Sequence, residues 1–233
     1  MIDNDLIKSC EIELKDKFAY LDDVALFNQE KVLNAFKKNK IALRHFVGTS
    51  GYGYGDEGRE ALNSLFSDIF KTESAICSPY IASGTHAIWL SLSGVLRPND
   101  TVLSITGKPY DTMLNCIYGK NNGSLADYSI NFDCIELNDG KIDKDKIGEY
   151  LSKKSPKMIY LQRSRGYDWR NSLSVSDIED AVSFVKSCGF NGCIFLDNCY
   201  GEFVEKKEPT EVGVNLIAGS LIKNIGGGIA PSG

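Results

Sequence analysis

Four polar clusters hold the residues of this sequence that could do chemistry, and each sits beside an apolar run. Ser83-Gly84-Thr85-His86 stands between a short apolar stretch and a helical pattern, so its N–H groups and hydroxyls would make an anion site, or Ser83 an ordinary helix cap. TGKPYDT, residues 106–112, sets Tyr110 on a proline turn, where an aromatic ring either stacks on a flat ligand or packs on the surface. FLDNCYGEF, residues 195–203, ends an apolar strand on Asp197, a carboxylate that caps a turn or meets a cation. AGSLIKNIGGG, residues 218–228, embeds Lys223 in apolar and glycine-rich surroundings. Such surroundings disfavour the ammonium and free the amine as a nucleophile, unless the side chain reaches solvent.

The elements that must position these clusters alternate. Residues 4–40 read as helical, with Leu6, Ile7, Cys10, Leu14 and Phe18 near i, i+3, i+4 spacing, and Asp22 and Asp23 placed to cap a second helix. A glycine-rich loop over residues 44–59 precedes the helical EALNSLFSDIFKT. From residue 75 onward, SAICSPYI, TVLSIT, INFDCIEL, KMIYLQRS, GCIFLDN and NLIAGSLIKN read as strands. SGTHAIWLSLSGVL, DTMLNCIYG, DKDKIGEYLSKK and SVSDIEDAVSFVKSCG read as helices between them, with Ser174 or Ser176 as cap of the last. This alternation predicts an α/β domain over residues 46–233, a mostly parallel sheet with helices on both faces, behind a helical N-terminal extension over 1–45. In open sheets of that kind ligands bind where strands end, which is where all four clusters fall.

Each cluster is weak alone. A phosphate cradle, a stacking aromatic, an acid for a ring nitrogen and a Schiff-base lysine together describe a site for pyridoxal 5'-phosphate. The segments HFVGTSGYGYGDEGRE, ASGTHAIWLSLSGVLRPND, GKPYDT, IYLQRSRGYDWRNSLS and LDNCYGEFVEKKEPTEVGVNLIAGSLIKNIGGGIA resemble the methionine gamma-lyase family, whose members are also called aluminium resistance proteins. That family lies in the cystathionine lyase branch of the fold type I pyridoxal-phosphate enzymes, and the resemblance runs from about residue 40 to the end. It implies that Lys223 carries the cofactor and takes the α-proton, that Asp197 holds the proton on the ring nitrogen, and that Tyr110 stacks on the ring. Ser83, Gly84, Thr85 and Ser220 would hold the phosphate, and Gln162, Arg163 and Ser164 would face the same cleft. The implied activity is a carbon–sulfur lyase, by γ- or β-elimination from a methionine-like or cystathionine-like amino acid.

Relatives of that class continue far past the lysine. The resemblance therefore implies that this sequence lacks a C-terminal domain and the arginine for the substrate carboxylate. Its alternative is a non-catalytic remnant, or half of a split enzyme completed by a second polypeptide.

GYGYGDEGR, residues 51–59, spells G-x-G-x-x-G, but no strand precedes it and no second strand follows at the right distance, which argues against a dinucleotide fingerprint. In the cystathionine lyase branch a loop tyrosine and arginine reach the neighbouring subunit's phosphate. Tyr54 and Arg59 match them, with Tyr52 as substitute, so the resemblance implies a homodimer or homotetramer with shared sites.

The net charge of −5 gives no basic face for nucleic acid. Seven cysteines without C-x-x-C and only two histidines give no basis for a metal site. No apolar run is long enough for a membrane span and the N-terminus lacks a signal-peptide pattern, so the expected compartment is the cytoplasm.

Overall fold

A computed structural model describes residues 3–49, 54–230 and 232–233. Two helices open the chain. Asp3 caps α1 (Asn4–Glu13) by accepting from the N–H groups of Asp5 and Leu6, and α1 buries no residue. The break to α2 (Lys15–Lys38) falls at Leu14, eight residues before the expected cap. Asp22 and Asp23 instead lie inside α2, where no glycine or proline interrupts the helix, and Asp23 pairs with Lys206 at 2.5 Å. The inner stripe of α2 is narrow: Val24, Asn28 and Ala35 are buried. Asn28 Nδ2 reaches the carbonyls of Val24, Phe203 and Glu205 at 3.0–3.1 Å, and Lys31 meets buried Glu208 at 3.3 Å. These contacts fasten the arm to the loop that follows Asp197.

The remaining helices are α3 (Glu57–Phe70), α4 (Gly84–Val95), α5 (Asp111–Tyr118), α6 (Lys144–Lys153) and α7 (Val175–Ser187). Each strand is short: β1 (Thr101–Ser104), β2 (Asn131–Cys134), β3 (Met158–Gln162), β4 (Cys193–Asp197) and β5 (Leu216–Ala218). They form one sheet in the order β2-β1-β3-β4-β5, every pair parallel. Strand alternation sorts the core into two layers. Leu103, Ile159, Leu161, Ile194 and Leu196 pack with residues of α6 and α7 on one face. Val102, Met158, Tyr160 and Phe195 pack with residues of α4 and α5 on the other. The predicted α/β domain with helices on both faces is therefore what the chain forms.

Two predicted strands differ. SAICSPYI forms no strand: Ile76 is exposed, and Cys77 N–H donates to Asn63 Oδ1 at 2.9 Å rather than to a neighbouring strand. NLIAGSLIKN forms β5 for three residues and then coils, because Gly219 opens a run of turns through Gly228. The outer edge of β5 has no partner strand among the described residues. Of the two serines expected as candidates, Ser174 caps α7, with a reciprocal bond to Asp177. Among the described residues no helix is long and apolar enough to cross a membrane.

Candidate active site

Parallel strands bring all their C-terminal ends to one edge of the sheet, and the order reverses between β1 and β3, where a crevice opens. Gln162 closes β3 and lies opposite Asp197, which closes β4; Asp197 in turn lies opposite Ala218 of β5. Gln162 joins these ends to the β1 side. Its N–H donates to Thr106 Oγ1 at 2.9 Å, its Oε1 accepts from Tyr110 N–H at 2.7 Å, and its Nε2 donates to the Ser164 carbonyl at 3.2 Å. Tyr110, at the start of α5, is thereby held over the same edge.

The N-terminus of α4 closes one side. Ser83 caps the helix by accepting from His86 N–H at 3.2 Å, so its hydroxyl already serves the backbone. The N–H groups of Gly84 and Thr85 come too early in the helix to have intrahelical acceptors, which leaves this helix end able to bind an anion. Gly84 lies so close to the turn after β5 that a Cβ there would stand 2.7 Å from Ser220 Cβ, 3.3 Å from its Oγ and 3.2 Å from Cys199 Sγ. Thr85 Oγ1 is 3.2 Å from Thr112 Oγ1 of α5. Two helix starts and the β5 turn thus present Thr85, Thr112 and Ser220 around one small space.

Asp197 is buried and makes no ion pair among the described residues. Burial pushes its carboxyl up, while the Cys199 N–H, which donates to Oδ1 at 3.0 Å, and the charge of Lys223 pull it back. Lys223 Nζ lies 4.2 Å from the centre of the Tyr200 ring, a cation–π contact. Tyr200 reaches this place through a left-handed backbone, φ +66°, which costs a non-glycine residue strain that the surrounding structure must hold. Cys199 lies in the same pocket with its thiol pushed up, chiefly by burial.

Glu202 lies in the FLDNCYGEF cluster but is not among the expected site residues. It is 2% exposed, no side chain among the described residues bonds either carboxylate oxygen, and only the backbone N–H groups of Glu202 itself and Ser220 act on it. Burial pushes it up to about 7. It faces a cleft of about 690 Å³ beside the outer edge of β5, walled by Phe66, Phe70, Leu90 and Ile217.

The other expected residues scatter. Arg163 does not face the cleft. Strand alternation turns it away from Gln162, and its guanidinium donates to the carbonyls of Leu173 and Gly201, to Asn198 Oδ1 and to Glu205 Oε1. It holds the loops behind Asp197. The Ser164 carbonyl is the acceptor for Gln162 and, at 2.6 Å, for Arg170. Tyr54 is 88% exposed, ahead of α3, and Tyr52 lies outside the described residues. Arg59 stands in the first turn of α3, where its N–H donates to the capping Asp56. Gly58 has a local reason to be glycine: a Cβ would come within 2.5 Å of the His45 carbonyl oxygen.

This donor set fits pyridoxal phosphate. A buried carboxylate without an ion pair suits a protonated ring nitrogen, a helix N-terminus with two hydroxyls suits a phosphate, and the charge of Lys223 is felt at Asp197. The fold is that of the large domain of the fold type I enzymes. At the level of fold alone, the pyridoxal-phosphate-dependent protein YhfS from Escherichia coli superposes with a TM-score of 0.66 at 15% identity, covering 85% of this chain and 51% of its own.

Closer relatives narrow the class. A methionine gamma-lyase family profile matches residues 3–233, and the chain belongs to that family. It is 44% identical to the Bacillus subtilis protein YnbB over 98% of this chain and 56% of that protein. A candidate cystathionine beta-lyase involved in aluminium resistance from Clostridium acetobutylicum is 47% identical, with a TM-score of 0.94 over 97% of this chain and 55% of its own. A carbon–sulfur lyase involved in aluminium resistance from Clostridium novyi NT is 44% identical, with a TM-score of 0.93 over 100% of this chain and 57% of its own. The chain spans about half the length of these relatives.

Proposed function

We propose that this chain carries the cofactor half of a pyridoxal-phosphate-dependent carbon–sulfur lyase that acts on a sulfur-containing amino acid of the methionine or cystathionine kind. The observation that carries the reading is the meeting of Asp197, Lys223, Tyr110 and the Gly84–Ser220 approach at one sheet edge. When bound, the cofactor supplies an electron sink for the charge left by the departing α-proton. The rest is the work of the protein. The start of α4, with Thr85 and Ser220, binds the phosphate. Asp197 holds a proton on the ring nitrogen. Lys223 Nζ would hold the cofactor and would receive and return the α-proton. Tyr110 would pack on its ring.

Family membership supports a γ- or β-elimination, and the names of the relatives support sulfur chemistry. The partner is a second copy of the chain. Exposed Tyr54, Leu43 and Phe46 near the start of α3, and an arm helix that buries nothing, support a homodimer or homotetramer in which Tyr54 and Arg59 serve the neighbouring phosphate. All seven cysteines are unpaired, which supports a reducing compartment, the cytoplasm. A second reading, completion by another polypeptide, is favoured by the open edge of β5 and the cleft beside it.

The test is uptake of pyridoxal phosphate by the purified chain. Wild type should gain an absorbance band near the visible edge that Lys223→Ala abolishes and Asp197→Ala weakens. No band with added cofactor, either alone or in the presence of the C-terminal half of YnbB, refutes the reading for this chain.

A further inference from the structure

The loop after β3 is more firmly built than its exposure suggests. Ser164, Arg165 and Gly166 lead to Tyr167, which is 81% exposed, and Trp169, which is 99% exposed. Yet Arg170 Nη2 donates to the carbonyls of Ser164 at 2.6 Å and Gln162 at 3.3 Å, and Arg170 Nη1 donates to the carbonyl of Asn171 at 3.1 Å. Gln162 Nε2 adds its bond to the Ser164 carbonyl, and Asp168 N–H donates to the Arg165 carbonyl at 3.1 Å. Gly166 takes φ +61°, and a Cβ there would lie 3.4 Å from Gln162 Nε2 and 3.9 Å from Tyr110 Cδ2. A left-handed glycine lets the backbone double back beside Tyr110.

The product of this arrangement is one contact. The Tyr167 ring lies 5.6 Å from the Tyr110 ring, tilted by 39°. Gln162 therefore holds Tyr110 by its backbone and, through Ser164, holds the loop that covers Tyr110 by its ring. We propose that Tyr167 is a positioning residue for Tyr110, fixing its ring and taking a hydrogen bond from its hydroxyl, so that the 164–170 loop is a wall of the substrate cleft.

Other groups face the Tyr110 phenol: Tyr200 across the crevice and Asp111 beside it in α5. The hydroxyl of Tyr167 acts on it most strongly, and all these neighbours push the phenol up and keep its proton in place. Tyr200 also carries the Lys223 contact.

The inference rests on the cofactor reading for its functional meaning, but its test needs no cofactor. The chain is labelled with 13C at tyrosine Cζ, and Tyr110→Phe identifies the Tyr110 resonance. Tyr167→Phe keeps the ring and removes the acceptor; it should shift that resonance at neutral pH and lower the pH at which Tyr110 titrates. Tyr167→Ala should do the same and also free the Tyr110 ring. Tyr167 is exposed, so neither change threatens folding. A Tyr110 resonance and titration identical in wild type and both variants overturns the proposal. If wild type binds no pyridoxal phosphate, the cofactor reading fails while the resonance still decides the tyrosine pairing.

Discussion

Glu202→Gln gives a pH-dependent stability difference whose size and sign follow from burial. The folded carboxyl is pushed from an ordinary 4.5 up to about 7, first of all because it is buried in an apolar wall. Below about pH 4.5 both the folded and the unfolded chain hold the proton, and the group costs nothing. Between about 4.5 and 7 the unfolded chain releases it and the folded chain does not, so stability falls as pH rises. Above about 7 both are ionised and the full penalty stands. A rise of about 2.5 units corresponds to about 3 kcal/mol. Glutamine fills the same volume and does not titrate. Measured against wild type, Glu202→Gln should therefore gain about 3 kcal/mol in urea unfolding between pH 4.5 and pH 8, or about 6–12 °C in melting temperature for a chain of this size. A difference that stays flat across this range refutes the argument. A variant that loses ground at pH 8 also refutes it, since the carboxylate would then have a cation partner, with Lys223 the nearest choice.

Two further substitutions probe the frame of the site. Gly84→Ala drives a methyl group into Ser220 Cβ at 2.7 Å, so it should cost about 1–3 kcal/mol and abolish uptake of pyridoxal phosphate; uptake at wild-type affinity would remove the Gly84–Ser220 approach from the cradle. Arg163→Met strands Asn198, the Gly201 carbonyl and Glu205 behind Asp197 and should lower the unfolding free energy by about 3 kcal/mol; a loss below about 1 kcal/mol would show that the buried guanidinium is not what holds those loops.

Much of the frame was legible because strands and helices announce themselves by period. β1, β3 and β4 lie in apolar runs, β3 and β4 ending on Gln162 and Asp197, and the α7 cap is Ser174, one of the two serines the sequence offers. What was lost depended on neighbours. SAICSPYI has strand composition, but a strand forms only against another strand, and the sequence does not state whether one lies alongside. Arg163 was read into the cleft although the two-residue period of β3 sets it opposite Gln162. The helix break at Leu14 carries no glycine, proline or strong cap to mark it. Glu202 was invisible because burial of a single acid is a property of the packed loop, not of the letters YGEF. The value of Tyr167 depends on a left-handed glycine, which spacing alone does not reveal.

The strand-end origin of the site has a kinetic consequence. Gly84, Tyr110, Asp197 and Lys223 come from segments spread over most of the chain, and no two of these four are local neighbours in sequence. Contacts between such distant segments form slowly, because each requires closing a long loop. β5 is the last strand in chain order and the shortest, and it delivers both Ser220 and Lys223. A cofactor that needs both residues can grip only chains in which β5 has docked. On the proposed cofactor reading, pyridoxal phosphate present during refolding should pull the population toward that docked state by mass action.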